Sequence, residues 1–94
     1  MLTKLNEAEV SSSDGFRIKY GRDSLTYIEP SRYLVVPIEH LGNPYEMAVY
    51  VGASGAWMKD GITGEPVSMD ELDLVCGRIA DSLRFLRRNF SINR

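Results

Sequence analysis

The chain is poor in the residues that build most metal, disulfide and catalytic sites. Its 94 residues include one cysteine, Cys76, and one histidine, His40. A single cysteine excludes a disulfide within the chain and is typical of a reducing compartment. One Cys and one His give no zinc-ligand spacing, and the acidic and glycine-containing stretches match no calcium or phosphate loop. We therefore expect no metal and no cofactor.

Long apolar runs and an excess of positive charge are also missing. No run approaches the length of a membrane span, and residues 1–7 lack the apolar core of a signal peptide, which predicts a cytoplasmic protein. The net charge is −2. Because phosphate binding needs a basic surface, the sequence predicts neither a nucleic acid nor a membrane as partner.

What the chain does contain is typical of one small globular domain. Hydrophobic residues make up 44% and charged residues 26%, as in an ordinary folded protein. The stretch from Ser11 to Gly15 has the composition of a turn or linker. The predicted organisation is therefore a single α+β domain over residues 16–94, preceded by residues 1–15 as a poorly ordered segment or frayed strand.

Alternating apolar and polar side chains predict several short strands. The most apolar of them should be buried on both faces, yet Pro37 has no N–H donor, which predicts an edge position or a bulge in its second half. The glycines and proline of residues 60–66 predict a loop. The strand predictions cover residues 16–20, 24–29, 33–39 and 45–51, with a short fifth strand at 56–59.

One amphipathic helix over residues 69–88 is the clearest predicted element. Ser68 and Glu71 form a capping-box pattern at its start, and Asn89 suits the left-handed position at its end. Gly77 costs about 1 kcal/mol relative to alanine, which we interpret as a close approach to the sheet. The fold prediction is thus an antiparallel sheet of four to five short strands packed against this helix, with a short terminal strand over 90–92. The apolar face of the helix comprises Leu72, Val75, Cys76, Ile79, Ala80, Leu83 and Leu86.

The net charge of −2 conceals an uneven distribution. Residues 24–73 carry eight acids and two bases, whereas residues 74–94 carry five arginines and one acid. Acids at the start of a helix and arginines at its end account for part of this difference. The remaining acids lie along strands and loops and predict a protein-binding surface, with Trp57 either as its aromatic anchor or as a core residue. The predicted contact residues are Glu29, Glu39, Glu46, Trp57, Asp60 and Glu65.

Catalysis is not predicted. His40 follows Glu39 and fits a general base oriented by a carboxylate, but no matching nucleophile accompanies it, so we favour an exposed loop histidine. Cys76 lies within the apolar face of the helix, where cysteine acts as a small hydrophobe rather than a nucleophile. We therefore expect no catalytic residues and no enzyme activity.

The order of these features resembles small immunity proteins of bacterial polymorphic-toxin and contact-dependent growth inhibition systems. Short strands lead to Trp57, the stretch Gly64-Glu65-Pro66-Val67-Ser68 enters one amphipathic helix, and a short strand closes the pattern. The resemblance covers about residues 16–92 and is one of overall order, without a shared motif. It implies a cytoplasmic protein that binds and neutralises a cognate toxin domain, often a basic nuclease, by steric and electrostatic blocking.

The same sequence is compatible with a second class of function. A homo-oligomeric structural or adaptor domain without a toxin partner would also need an α+β core and no catalytic residues. The strand that contains Pro37, or the terminal strand, would offer an edge for pairing with another copy. The predicted state is a monomer or a weak homodimer.

Overall fold

The computed structural model describes the backbone of residues 1–41 and 46–94 and the side chains of residues 1–41 and 47–94. Within these residues the chain forms nine strands, one α-helix and one 3-10 turn, Val51–Ser54. The elements are β1 (Leu2–Asn6), β2 (Glu9–Ser12), β3 (Arg17–Tyr20), β4 (Ser24–Ile28), β5 (Tyr33–His40), β6 (Glu46–Tyr50), β7 (Ala56–Lys59), β8 (Ile62–Pro66), α1 (Met69–Phe85) and β9 (Asn89–Asn93).

The predicted sheet of four to five strands is wrong. Seven strands follow one curled, half-barrel path in the order β1-β2-β3-β4-β5-β6-β9, and β7 and β8 branch from β5. Residues 1–15, predicted as a poorly ordered segment or frayed strand, supply the hairpin β1–β2. These residues are only weakly apolar, so their extended form depends on pairing with neighbouring strands. The local sequence pattern does not show those partners.

Residues 60–66, predicted as a loop, also contribute a strand. Asp60 and Gly61 both have positive φ, at 52° and 79°, and close a two-residue turn between β7 and β8. An Asp-Gly pair is favoured in such turns because glycine and aspartate tolerate the left-handed region. The Asp60-Gly61 dipeptide was therefore the signal for a hairpin at this place.

The central strand β5 carries β4 on one edge and two separate wings on the other. On one edge β5 pairs with β4 from Tyr33 to Pro37. On its other edge Tyr33 pairs with β7, whereas pairing with β6 begins only at Ile38. The 3-10 turn connects β6 to β7 along this edge, so Pro37 stands where the neighbouring strand is interrupted. We call β6 with β9 the β6–β9 wing, and β7 with β8 the β7–β8 wing.

The helix packs across the inner face of the curled sheet. Val75, Ile79 and Leu83 are fully or almost fully buried against β4, β5 and β6. The predicted capping box is confirmed: the Ser68 hydroxyl accepts the Glu71 N–H at 3.2 Å, and the Glu71 carboxylate accepts the Ser68 N–H at 2.9 Å. The sheet residues of this core include Ile18, Leu25, Tyr27, Leu34, Val36, Ile38, Met47 and Val49.

The end of the helix and the role of Gly77 differ from the prediction. The helix ends at Phe85, Arg87 takes the left-handed position with φ 58°, and Asn89 already begins β9. Pairing of β9 with β6 unwinds the last predicted turn. Gly77 is exposed, and a Cβ added there would meet nothing within 4 Å, so it permits no close approach to the sheet.

Candidate functional site

The junction between the β7–β8 wing, the β4–β5 turn and the start of α1 is built around Trp57. Strand β7 directs the Trp57 side chain inward, where it is only 4% exposed. The guanidinium of Arg32, from the β4–β5 turn, lies 3.6 Å from the centre of its ring. A cation placed over an indole face is attracted by the ring electrons, so this contact fixes the wing to the turn.

Two carboxylates hold the Arg32 guanidinium over the indole. Arg32 Nε donates to Glu29 Oε1 at 2.8 Å, and Arg32 Nη2 lies 2.8 Å from Glu71 Oε2. Glu29 belongs to the same turn, and Glu71 belongs to the first turn of α1. A single arginine therefore connects the turn, the hairpin and the helix, and both carboxylates at this junction are used within the molecule.

The network continues from Glu29 into the core. The buried Tyr27 hydroxyl donates to Glu29 Oε2 at 2.8 Å and accepts from Arg78 Nη1 at 2.7 Å. Arg78 also lies over the ring of Phe16 at 4.8 Å. Burial raises the pKa of Tyr27 to about 12, so the hydroxyl keeps its proton at neutral pH.

Glu71 is the most strongly shifted carboxylate at this junction. The backbone N–H of Ser68 is the largest cause, followed by the Trp57 indole, and together with Arg32 they lower the pKa of Glu71 to about 2. The Trp57 indole N–H is buried and has no partner in hydrogen-bond geometry among the described residues, although it lies near enough to favour the Glu71 charge. Glu71 is therefore ionised throughout the neutral and mildly acidic range.

Two shallow clefts border this network at the surface. One, of about 410 Å³, lies between the β4–β5 turn and the hairpin turn and is lined by Glu29, Ser31 and Asp60 among others. The second, of about 260 Å³, lies on the other side of Arg32 and is lined by Trp57, Met58 and Glu65. Lys59 and Arg32 line both clefts. We call the two clefts with the exposed strand β8 the hairpin surface.

The structure brings four of the six predicted contact residues to the hairpin surface. Asp60 and Glu65 are exposed there and form no ion pair with any described residue. Glu29 lies at its border but is half-buried and engaged by Arg32, and Trp57 forms its floor. Glu39 lies near the far end of β5, exposed, and accepts a hydrogen bond from Tyr50 at 3.0 Å. The side chain of Glu46 lies outside the described residues.

Sequence reasoning did not single out Arg32 or Arg78. Arg32 follows Pro30-Ser31 between two predicted strands, and Arg78 is one of the five arginines of residues 74–94. Their importance depends on contacts with Trp57 and Tyr27, which lie far from them along the chain.

The two other candidates for chemistry lie away from this junction. Cys76 is buried in the core, and burial raises the pKa of its thiol, which lowers the fraction of reactive thiolate. His40 is exposed at the end of β5. Among the side chains of residues 1–41 and 47–94, no three of His, Cys, Asp or Glu are grouped to hold a metal ion.

Comparisons with known proteins add no relative. No protein-family model, curated protein or solved structure matches this chain. In the part of the chain that the structure describes, no helix is both long and apolar enough to cross a membrane. The resemblance to immunity proteins therefore stays a prediction.

Proposed function

We propose that this chain is an immunity protein that binds a cognate toxin domain, of nuclease type, through the hairpin surface. The observation that supports the proposal is the division of acids at the Trp57 junction. Glu29 and Glu71 are occupied by Arg32, whereas Asp60 and Glu65 face solvent with no ion pair among the described residues. Exposed acids on a fixed scaffold are suited to a basic partner surface.

The mechanism is steric and electrostatic. The acids increase the rate of encounter with a basic toxin, and the apolar side chains of the hairpin surface, Met58 and the 71% exposed Ile62, supply the buried contact that slows dissociation. Arg32 and Trp57 keep the hairpin in one position, which lowers the ordering cost of binding. Neutralisation requires no bond chemistry from this chain, and on this proposal it acts in the cytoplasm.

The test uses the C-terminal domain of the secreted protein encoded directly upstream as the probe. We expect co-expression to relieve the growth inhibition that this domain causes, and titration calorimetry to give nanomolar or tighter binding. Absence of both binding and protection would contradict the toxin-neutralising role.

Charge-reversal variants locate the interface. We expect Asp60→Lys and Glu65→Lys to slow association, with a smaller effect at high salt. Asp14→Lys is the matched control, because Asp14 is an exposed acid in the β2–β3 turn. Reversal of Glu39 tests the predicted contact that lies away from the hairpin. If tight binding persists unchanged in all reversals, the electrostatic part of the proposal is wrong.

A further inference from the structure

The outer face of the sheet carries apolar side chains where solvent-facing polar residues are usual. The sequence of β5 predicts burial on both faces, and its inner residues Leu34, Val36 and Ile38 are buried. Its outer residues are not covered: Val35 is 44% exposed, and Tyr33 and Pro37 are half-buried. In an antiparallel sheet with one solvated face, alternate positions are normally polar. Strand β5 therefore has the composition of a strand covered on both sides.

Neighbouring strands extend this apolar region. Ile28 and Met58 are the cross-strand partners of Tyr33, so their side chains share its face. Both are half-buried. Helix α1 packs on the opposite face, so no described element covers this one. We define the outer patch as Ile28, Tyr33, Val35, Pro37 and Met58.

Two opposite charges lie at two borders of the outer patch. Lys19 shares the face because it pairs with Thr26, which in turn pairs with Val35. Glu39 shares it because it follows Val35 by four residues on the same strand. Both are exposed, and neither forms an ion pair with a described residue. Glu9, which lies opposite Lys19, is paired with Arg17.

We infer that the outer patch binds a second copy of this chain in a two-fold symmetric dimer. Lys19 lies two strands, roughly 10 Å, to one side of Val35, and Glu39 lies roughly 13 Å further along β5. Two copies can face each other across a two-fold axis that lies parallel to the sheet and passes between Val35 and Pro37. Rotation about this axis exchanges the position of Lys19 with that of Glu39. It therefore places Lys19 of each copy against Glu39 of the other, with Val35 and Pro37 of both copies at the centre and Ile28, Tyr33 and Met58 towards the margin.

The expected dimer is weak. Four strands by four residues give a footprint of roughly 250 Å² on each copy, which is below the range of stable interfaces. We therefore expect micromolar association that depends on concentration and salt. Ile28, Tyr33 and Met58 of the outer patch also line the two clefts of the hairpin surface, so self-association is measured on this chain alone, without any toxin.

Sedimentation velocity of the full chain, from micromolar to near-millimolar concentration at low salt, tests the dimer. We expect reversible dimers of the native chain, and at least about tenfold weaker association for Val35→Lys, which puts a charge at the apolar centre. Val35→Ser is a milder second variant. Thermal unfolding confirms that both stay folded, as an exposed position allows. A native chain that stays monomeric at the highest concentration would overturn the inference.

A charge exchange tests the symmetry. Lys19→Glu or Glu39→Lys alone creates two like-charge contacts and should weaken association several-fold. The double variant Lys19→Glu/Glu39→Lys restores both pairs and should return to within about twofold of the native constant, as coupled residues in a double-mutant cycle do. Asp14→Lys, in the β2–β3 turn away from the outer patch, is the control and should leave association unchanged. A double variant that is no better than the single variants would show that these residues do not face each other.

Discussion

The β6–β9 wing and the β7–β8 wing leave the same edge of β5 but are stabilised in different ways. In the β6–β9 wing Met47 and Val49 are buried, Phe90 and Ile92 pack against the core, and α1 contacts β9. In the β7–β8 wing every residue of β8 is exposed. Trp57 is the one fully inward side chain that the wing contributes to the core cluster.

The stability of the β6–β9 wing is therefore spread over many contacts, whereas that of the β7–β8 wing depends on a few. A wing held by several apolar side chains loses only part of its contacts when one is removed. We expect a wing held by one indole and one arginine to open when either is lost, without unfolding of the rest of the sheet. Local opening of this kind is common in segments with few buried contacts. The variants below change one wing or the other.

Trp57→Ala should have the largest effect. Removal of a buried indole leaves a cavity and takes away the surface on which Arg32 stacks, so the free energy of unfolding should fall by about 3–5 kcal/mol. Hydrogen exchange should show β8 amides losing protection while β6 and β9 keep theirs. Trp57→Phe, which retains an aromatic face, is the control. Uniform loss of protection over both wings would contradict the idea of separate anchoring.

Arg32→Ala should have an intermediate effect. It removes the cation–aromatic contact and leaves Glu29 and Glu71 without their shared partner, which should cost about 1–2 kcal/mol, since the arginine is partly exposed. Arg32→Lys keeps the charge but not the planar stack. We therefore expect lysine to recover less than half of the loss in urea unfolding. Full recovery would mean that charge alone holds the wing.

Gly77→Ala should stabilise the chain by about 0.5–1 kcal/mol, because alanine favours the helix and the site is open. The gain should appear in the global unfolding midpoint and in the slow-exchanging amides of the β6–β9 wing. Amides of β8 should exchange as before if that wing opens locally. A control at the exposed Ser91, Ser91→Ala, should change little.

Acidification should have the smallest effect on the free energy of unfolding. The pKa of Glu71 is lowered in the folded chain, so the stability it contributes is present above its ordinary value of 4.5 and is lost as pH falls towards 2. Because this carboxylate lies at the surface, solvent limits the change. In Glu71→Gln the free energy of unfolding should depend less on pH between 4.5 and about 2. An unaltered profile would show that Glu71 does not control this acid sensitivity.

The sequence predicted the elements whose signals are local. The Ser68 cap, the apolar face of α1 and the alternating strands between residues 16 and 40 depend on neighbouring side chains. Strand β8 was predicted as a loop, and β1 and β2 only as a poorly ordered segment or frayed strand, because all three are extended through pairing with other strands and β8 has almost no apolar alternation. In the candidate site, Trp57, Asp60 and Glu65 were predicted by residue type. Arg32 and Arg78 contact residues that belong to other elements of the fold. A local sequence pattern cannot predict such contacts.

The parallel pairing of β6 with β9 has a consequence for synthesis of the chain. Strands β1 to β5 pair with their immediate neighbours, so the pairing partners of this part of the sheet are all present once residue 40 has left the ribosome. The free edge of β6 has to wait until the hairpin, the helix and β9 have all been made. During that interval an apolar strand edge is open to other chains. Slow translation after residue 50 should therefore promote aggregation more than slow translation before it.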